Sequence, residues 1–347
     1  MLKKEKNMGS ISNFINEDIK KEIRKKIKKA IDETIDETLE KNLFEPYLIK
    51  ILIEKLVNNL NSIKNKKNDD IDFNIYSGGI FIHQRPKVKN IENKNWKNGT
   101  GSVELGDLVL INTIVRQGCI IKRAALLMQA KKGKINKIIN PNNAYQLDLY
   151  TNWPRFEYVN GCRLKNEIRH INQNKKDKDI DDGVKYLFIN TNTTPAEASV
   201  TSATKLKLDE LKNFSDEIYD FVTGSGGKEF KVDNKEHWDY SKCKYECPDK
   251  CEGWCRVIDD LIKNIFELTL PESYQRAGCS EEKRGSGLFE APEYLAYEGF
   301  ELTPIIGKSL EISSIIDEIS NTNDKDEISG ISMIEIVTKI DRDIEVI

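Results

Sequence analysis

The chain has 347 residues, beyond the roughly 250–300 at which single hydrophobic cores stop growing, so two lobes are expected. With 38% hydrophobic and 32% charged residues it has the material for a packed interior under a charged surface, which excludes a wholly disordered chain. Its 54 basic and 57 acidic residues leave a net charge of -3, so no global positive field marks a nucleic-acid partner and local basic patches must supply one.

No apolar stretch approaches the roughly 18–20 residues of a membrane-spanning helix, and the N-terminal MLKKEKNMGS lacks the apolar centre of a secretion signal. The expectation is a cytoplasmic protein with no membrane partner. Seven cysteines in a reducing compartment are thiols or metal ligands rather than a disulfide framework.

From the N-terminus, residues 11–66 read as two helices. The first is charged and carries the basic run Lys20, Lys21, Arg24, Lys25, Lys26, Lys28 and Lys29, interrupted or followed by Glu22, Asp32 and Glu33, as expected of a solvated face. The second begins at Pro46, and Ile49, Leu52, Ile53, Leu56, Leu60 and Ile63 follow the helical period. Two short apolar runs, Phe73-Asn-Ile-Tyr and Gly79-Ile-Phe-Ile, then flank Gly78-Gly79 and open a sheet.

Val103–Ile111 and Ile120–Ala130 are β-type runs joined by a polar connection near Arg116-Gln117-Gly118, which predicts a hairpin. A helix over 142–150 follows Pro141, and Val184–Ile189 supplies another strand. Helix, strands, helix, strand is the order of an α/β sandwich with a mixed sheet. Beyond residue 200 come an expected helix at Lys205–Phe221, a Gly-Ser-Gly-Gly break at 224–227, a cysteine-rich segment at 243–255, a helix at Arg256–Leu268 and a final strand at Ser332–Ile340. The expected division is a charged helical N-terminal segment at 1–40, a core at 41–200 and a helical, cysteine-containing C-terminal lobe at 201–347.

Hydrolysis of a phosphodiester with a divalent cation needs hard oxygen ligands and a cationic group near the attacking water. Asp107 and the triplet Gln129-Ala130-Lys131 offer both, since residues two apart on a strand share a face, and Lys131, Lys132, Lys134 and Lys137 make a basic patch beside them. Gln146 and Tyr150, four apart on the following helix, also share one face.

Glu104-Leu-Gly-Asp107-Leu-Val-Leu, then Leu127-Met-Gln129-Ala-Lys131, then Gln146-Leu-Asp-Leu-Tyr150 resembles the PD-(D/E)XK nuclease core with the motif order of its RecB-like members. The resemblance implies a mixed-sheet, restriction-endonuclease-like core. It implies that Asp107, Gln129 and the carbonyl of Ala130 hold Mg2+ or Mn2+, that Lys131 assists the nucleophilic water, and that Gln146 and Tyr150 reach DNA or orient the lysine. The implied function is hydrolysis of DNA, with defence against foreign DNA suggested by fold-level analogy. The alternative is a module that kept the fold for nucleic-acid or protein binding and lost cutting, since the family's second acidic position is here the neutral Gln129. Glu104 is a candidate compensating carboxylate if a bulge or a loop near Gly106 brings it to Asp107, and Glu54 is the candidate upstream helical ligand. His83 is placed near a phosphate or a strand end, and His170 and His237 are structural or surface residues.

Cys243, Cys247, Cys251 and Cys255 recur every four residues, and Pro248 and Gly253 oppose one continuous helix through them. Folded as turns, four thiolates close a tetrahedral zinc site or hold an iron–sulfur cluster. Some RecB-like nucleases hold such a cluster with four cysteines, and the C-terminal lobe is also the expected surface for a protein partner. The expected result is one metal centre that orders a segment poor in apolar residues. Elemental analysis of protein purified without oxygen checks it: about one zinc per chain supports a zinc site, iron with sulfide supports a cluster, and neither leaves free thiols.

Overall fold

The computed structural model describes residues 11, 14–63, 66–68, 71–81, 86–92, 101–116, 119–133, 144–160, 164–171, 180–191, 193, 195–202, 211–230, 238–239, 244–245, 252–268, 287–289, 295–297, 300–302 and 331–342. Two helices come first, α1 at Glu17–Glu40 and α2 at Glu45–Asn61. Asn16 caps α1 by accepting the Ile19 N–H, and Ile19, Ile23, Ile27, Ile31 and Ile35 form its buried stripe. On the opposite face the basic run is tied into ion pairs one turn apart, Lys20–Glu17, Lys21–Asp18, Lys28–Asp32 and Lys29–Glu33, as a solvated face should be.

The strands are β1 (Lys66–Asn68), β2 (Ile71–Phe81), β3 (Lys87–Asn90), β4 (Val103–Glu104), β5 (Leu108–Arg116), β6 (Cys119–Lys132), β7 (Phe156–Asn160), β8 (Ile168–Arg169), β9 (Val184–Asn190), β10 (Glu197–Ser202), β11 (Lys212–Asn213), β12 (Lys228–Glu229), β13 (Trp238–Asp239), β14 (Lys244–Tyr245), β15 (Gly287–Phe289), β16 (Leu295–Tyr297), β17 (Phe300–Leu302) and β18 (Ser332–Arg342). Interspersed are α3 (Ala144–Asn152), α4 (Ile180–Gly183), α5 (Phe214–Val222) and α6 (Gly253–Leu268). The main sheet runs β1-β2-β18-β5-β6-β9-β10-β11, with β12 beside β6 and β15 beside β2; β4-β3-β7-β8 form a second sheet.

The fold is α/β with a mixed sheet: β5 and β6 are the expected antiparallel hairpin, β6 and β9 are parallel, and β18 is parallel to β5 but antiparallel to β2. Helices cover both faces, so the central strands are apolar on both sides. Leu108, Leu110 and Ile114 of β5 pack in one cluster with α1, α2 and α5, while Val109 and Ile111 face a second cluster with α3, α6 and the second sheet. The final strand lies between β2 and β5 at the middle of the main sheet. No helix among the described residues is long and apolar enough to cross a membrane.

Three local expectations change. The two short runs around Gly78-Gly79 are one continuous strand, β2, because the missing Cβ lets α2 lie against it: a Cβ on Gly79 would stand 2.3 Å from Ile53 Cγ2. The run 103–111 is split, with β4 in the second sheet and β5 in the main one, and Leu105-Gly106-Asp107 crosses between them. Gly106 permits the crossing, since a Cβ there would meet Leu127 Cδ1 at 2.6 Å. Within the expected helix Lys205–Phe221, Lys212 and Asn213 are extended and α5 starts only at Phe214, because the Asn213 side chain accepts the Ser215 N–H as an N-cap; residues 203–210 lie outside the described residues.

Gly79→Ala should destabilise the fold by about 1–3 kcal/mol, the usual cost of forcing a methyl into a packed interface. Denaturant unfolding measures it, and Ile53→Ala combined with Gly79→Ala should cost less than the sum of the two. Strict additivity would show that the α2–β2 contact is not the reason for glycine.

Candidate active site

The chain turn at Leu105–Asp107 is stapled to β6. The Asp107 N–H donates to Met128 O at 2.8 Å, and Asp107 Oδ2 accepts the Ala130 N–H at 2.7 Å. Gln129 Nε2 also donates to Asp107 Oδ2. Gln129 is buried on the α3 side of the sheet, whereas Ala130 belongs to the cluster on the other side. From α3, Gln146 Nε2 donates to Gln129 Oε1 and, at 3.3 Å, to Glu104 O. The Tyr150 hydroxyl donates to Leu105 O at 2.6 Å and reaches Gln129 Oε1 at 3.4 Å. Asp107, Gln129, Gln146 and Tyr150 thus form one connected network, each member satisfying the next.

Tyr150 is fully buried, its ring 5.4 Å from those of both Trp153 and Tyr186. Burial raises the Tyr150 phenol well above its ordinary value, with Tyr186, Asp107 and Glu104 adding to the rise, so it remains a hydrogen-bond donor. Burial and Asp107 raise Tyr186 likewise. Gln146 and Tyr150 therefore orient Gln129 and the 104–105 backbone; neither bonds Lys131.

Lys131 Nζ lies 3.8 Å from Glu45 Oε2 at the start of α2, and Glu45 Oε1 accepts the Lys132 N–H at 2.9 Å. Lys132 Nζ donates to Leu43 O at 2.7 Å, so half of the expected basic patch fastens α2 to the end of β6. Sequence reasoning passed over Glu45 and named Glu54, which stands nine residues further along α2, about 13 Å at 1.5 Å per residue. The missed signal was the acidic residue before Pro46 at a helix start. Glu104 does approach Asp107, through the crossing at Gly106 rather than along a regular strand.

Burial raises the Asp107 carboxyl well above the usual carboxylate range; Glu104 adds to the rise, Lys131 and the Ala130 N–H oppose it, and Glu45 adds again. The site is short of positive charge. Asp107 Oδ1 makes no hydrogen bond to the described residues, so one oxygen is left for a hard cation. Gln129 turns its amide nitrogen to Asp107 and its oxygen to α3, away from a ligand's role. Among the described residues no three His, Cys, Asp or Glu side chains converge to hold a metal ion by themselves. Mg2+ commonly binds through one or two carboxylates plus waters and a substrate phosphate, and an Asp107-centred oxygen set fits that habit.

His170 is half-buried beside β8, while His83, His237, Lys134, Lys137, Cys243, Cys247 and Cys251 lie outside the described residues. Cys255 sits in the first turn of α6, half-buried against the second apolar cluster. Comparison with family models, with curated proteins and with solved structures finds no match to the chain.

The raised Asp107 carboxyl sets a pH dependence. The folded protein binds this proton more tightly than the unfolded chain, so stability is greatest below the ordinary carboxylate range and falls as pH rises towards the raised value. Asp107→Asn removes the cost while an oxygen still accepts the Ala130 N–H. In chelator, the melting temperature of Asp107→Asn relative to the native protein should climb between acidic and neutral pH. Parallel curves would show that the carboxylate is not strained by its surroundings.

Proposed function

We propose that the chain is a divalent-metal-dependent nuclease of the PD-(D/E)XK type that hydrolyses DNA. The observation that carries the reading is the single network joining Asp107, Gln129, Gln146 and Tyr150, with Lys131 two residues beyond Gln129 on the same strand and Glu45 against it. Chance polar residues on a sheet do not need to satisfy one another in the order that the motifs follow along the chain. The succession α2, β2, the β5–β6 hairpin, α3 and β9, with β9 parallel to β6, supports a restriction-endonuclease-like core.

In this reading Asp107 presents a carboxylate oxygen for Mg2+ or Mn2+, and Glu104 and Glu45 add negative charge that favours a cation. The bound ion supplies Lewis-acid polarisation of the phosphoryl oxygen. Ala130 N–H and Gln129 Nε2 hold Asp107 in one orientation, so no reorganisation is needed when charge develops. Gln146 and Tyr150 fix Gln129, and Tyr150 fixes the Leu105 carbonyl. Lys131, restrained by Glu45, keeps an ammonium beside the phosphate and its attacking water.

A second reading, a DNA-binding module without cleavage, is favoured by one observation: the second acidic position is a glutamine whose amide is already engaged at both ends. Both readings meet in one assay with purified full chain, linear, circular and single-stranded DNA, and magnesium, manganese or chelator. Cleavage should require the divalent ion. Asp107→Ala and Lys131→Ala should each lose on the order of 100-fold or more in rate, the scale seen when a transition-state contact is removed, with the fold retained by circular dichroism. Cleavage that resists chelator, or that survives Asp107→Ala, would defeat the proposal; binding without cutting selects the second reading.

A further inference from the structure

Phe44 occupies an anomalous position. It is 77% exposed, more than any other large hydrophobic among the described residues, and it is the N-cap of α2, a place that favours Ser, Thr, Asp or Asn. Its side chain makes no cap hydrogen bond, so α2 forgoes the stabilisation that a capping side chain gives at this end. Neither burial nor local helix stability explains a phenylalanine here.

Its place in the site does. Phe44 lies between Leu43, whose carbonyl accepts Lys132 Nζ, and Glu45, which meets Lys131 and the Lys132 N–H. The turn is held from both sides: Leu43 N–H donates to Thr38 O at 3.0 Å, Tyr47 and Leu48 N–H donate to Phe44 O at 3.1 and 3.2 Å, and Asn42 is fixed at φ +46°. A flat apolar ring is thereby presented to solvent on the turn whose Leu43 carbonyl accepts Lys132 Nζ and whose Glu45 meets Lys131. An exposed aromatic face on a turn that lysines approach is an arrangement that receives an unstacked nucleobase while a lysine meets its phosphate.

We infer that Phe44 is a substrate-binding residue that stacks on a base of single-stranded DNA, at a strand end or an opened segment, beside the scissile phosphate. This rests on the nuclease reading for its choice of ligand. It makes the preferred substrate one with an unpaired base near the cut, since a base held in a duplex cannot lie on the ring.

The experiment separates the two readings by measuring binding in chelator, where cleavage plays no part. The full chain is titrated against a fluorescein-labelled single strand of roughly 20 nucleotides, longer than typical site sizes for one such groove, and against the blunt duplex of the same sequence. Phe44→Ser should weaken single-strand binding by about 5- to 100-fold, the loss expected for one base–aromatic stack, and duplex binding by less. Phe44→Trp should preserve it. Phe44→Ser should also melt no lower than the native protein, because serine restores a side-chain cap, so lost binding will not reflect lost folding. Single-strand binding by Phe44→Ser equal to that of the native chain overturns the inference and leaves the ring to a protein partner; failure of the native chain to bind the strand overturns it too. Phe44-dependent binding without cleavage in magnesium supports this inference and counts against the nuclease reading alone.

Discussion

A buried carboxylate must be supplied with donors, and the rest of this site follows from supplying Asp107. Withdrawing a charge from water costs several kcal/mol unless hydrogen bonds replace the lost solvation. Asp107 Oδ2 takes the Ala130 N–H from the backbone of β6 and a side-chain N–H from Gln129. Gln129, once turned to donate, has an oxygen facing α3, where Gln146 donates to it and the Tyr150 hydroxyl, which donates to Leu105 O, lies 3.4 Å away. Tyr150 in turn is locked between Trp153 and Tyr186. A requirement that begins at one oxygen thus fixes the orientation of a whole helix against the hairpin.

The other side of the site depends on the sheet. Because β18 lies between β2 and β5, the strand that Asp107 leads into has a neighbour on each side and is buried on both faces. The same insertion keeps β2 under α2, and the close approach at Gly79 brings the start of α2, with Glu45, to the end of β6. The long-range closure by β18 ties β2 and β5 into one sheet. It is also slow to form, since pairing distant segments requires a large loop-closure entropy before any contact is gained.

What the sequence made legible is local. The β5–β6 hairpin, the start of α2 near Pro46, α3 and the strand β9 were readable because their periodicities and turn residues lie within windows of a dozen residues. Gln129 could be set beside Asp107 because the two strands of a hairpin pair, whereas Gln146 and Tyr150 were grouped with them only through the motif order of the resemblance, and with the lysine rather than with Gln129. Glu45 left only a weak signal: an acidic residue at a helix start is so common for dipole reasons that the three-dimensional approach of Lys131 is what distinguishes it. The split of 103–111 was not legible, since Gly106 looks like any turn glycine until Leu127 is seen against it. The place of β18 has no local signature at all, because an apolar strand fits any open edge.

The neutral Gln129 is consistent with this charge balance. Burial, Glu104 and Glu45 already raise the Asp107 carboxyl, and Lys131 is the cationic side chain that opposes them. A carboxylate at position 129, pointing where the amide nitrogen now donates, would place acceptor against acceptor on Asp107 Oδ2 and remove one of its two donors. An amide resolves that conflict without a cation, at the cost of one potential ligand. On the proposed reading, the native protein is therefore built to hold Asp107 in place before any ion arrives, and to leave one oxygen outward for a single ion. Positioning comes from hydrogen bonds made on folding, and on that reading the ion supplies only the positive charge that the folded site lacks.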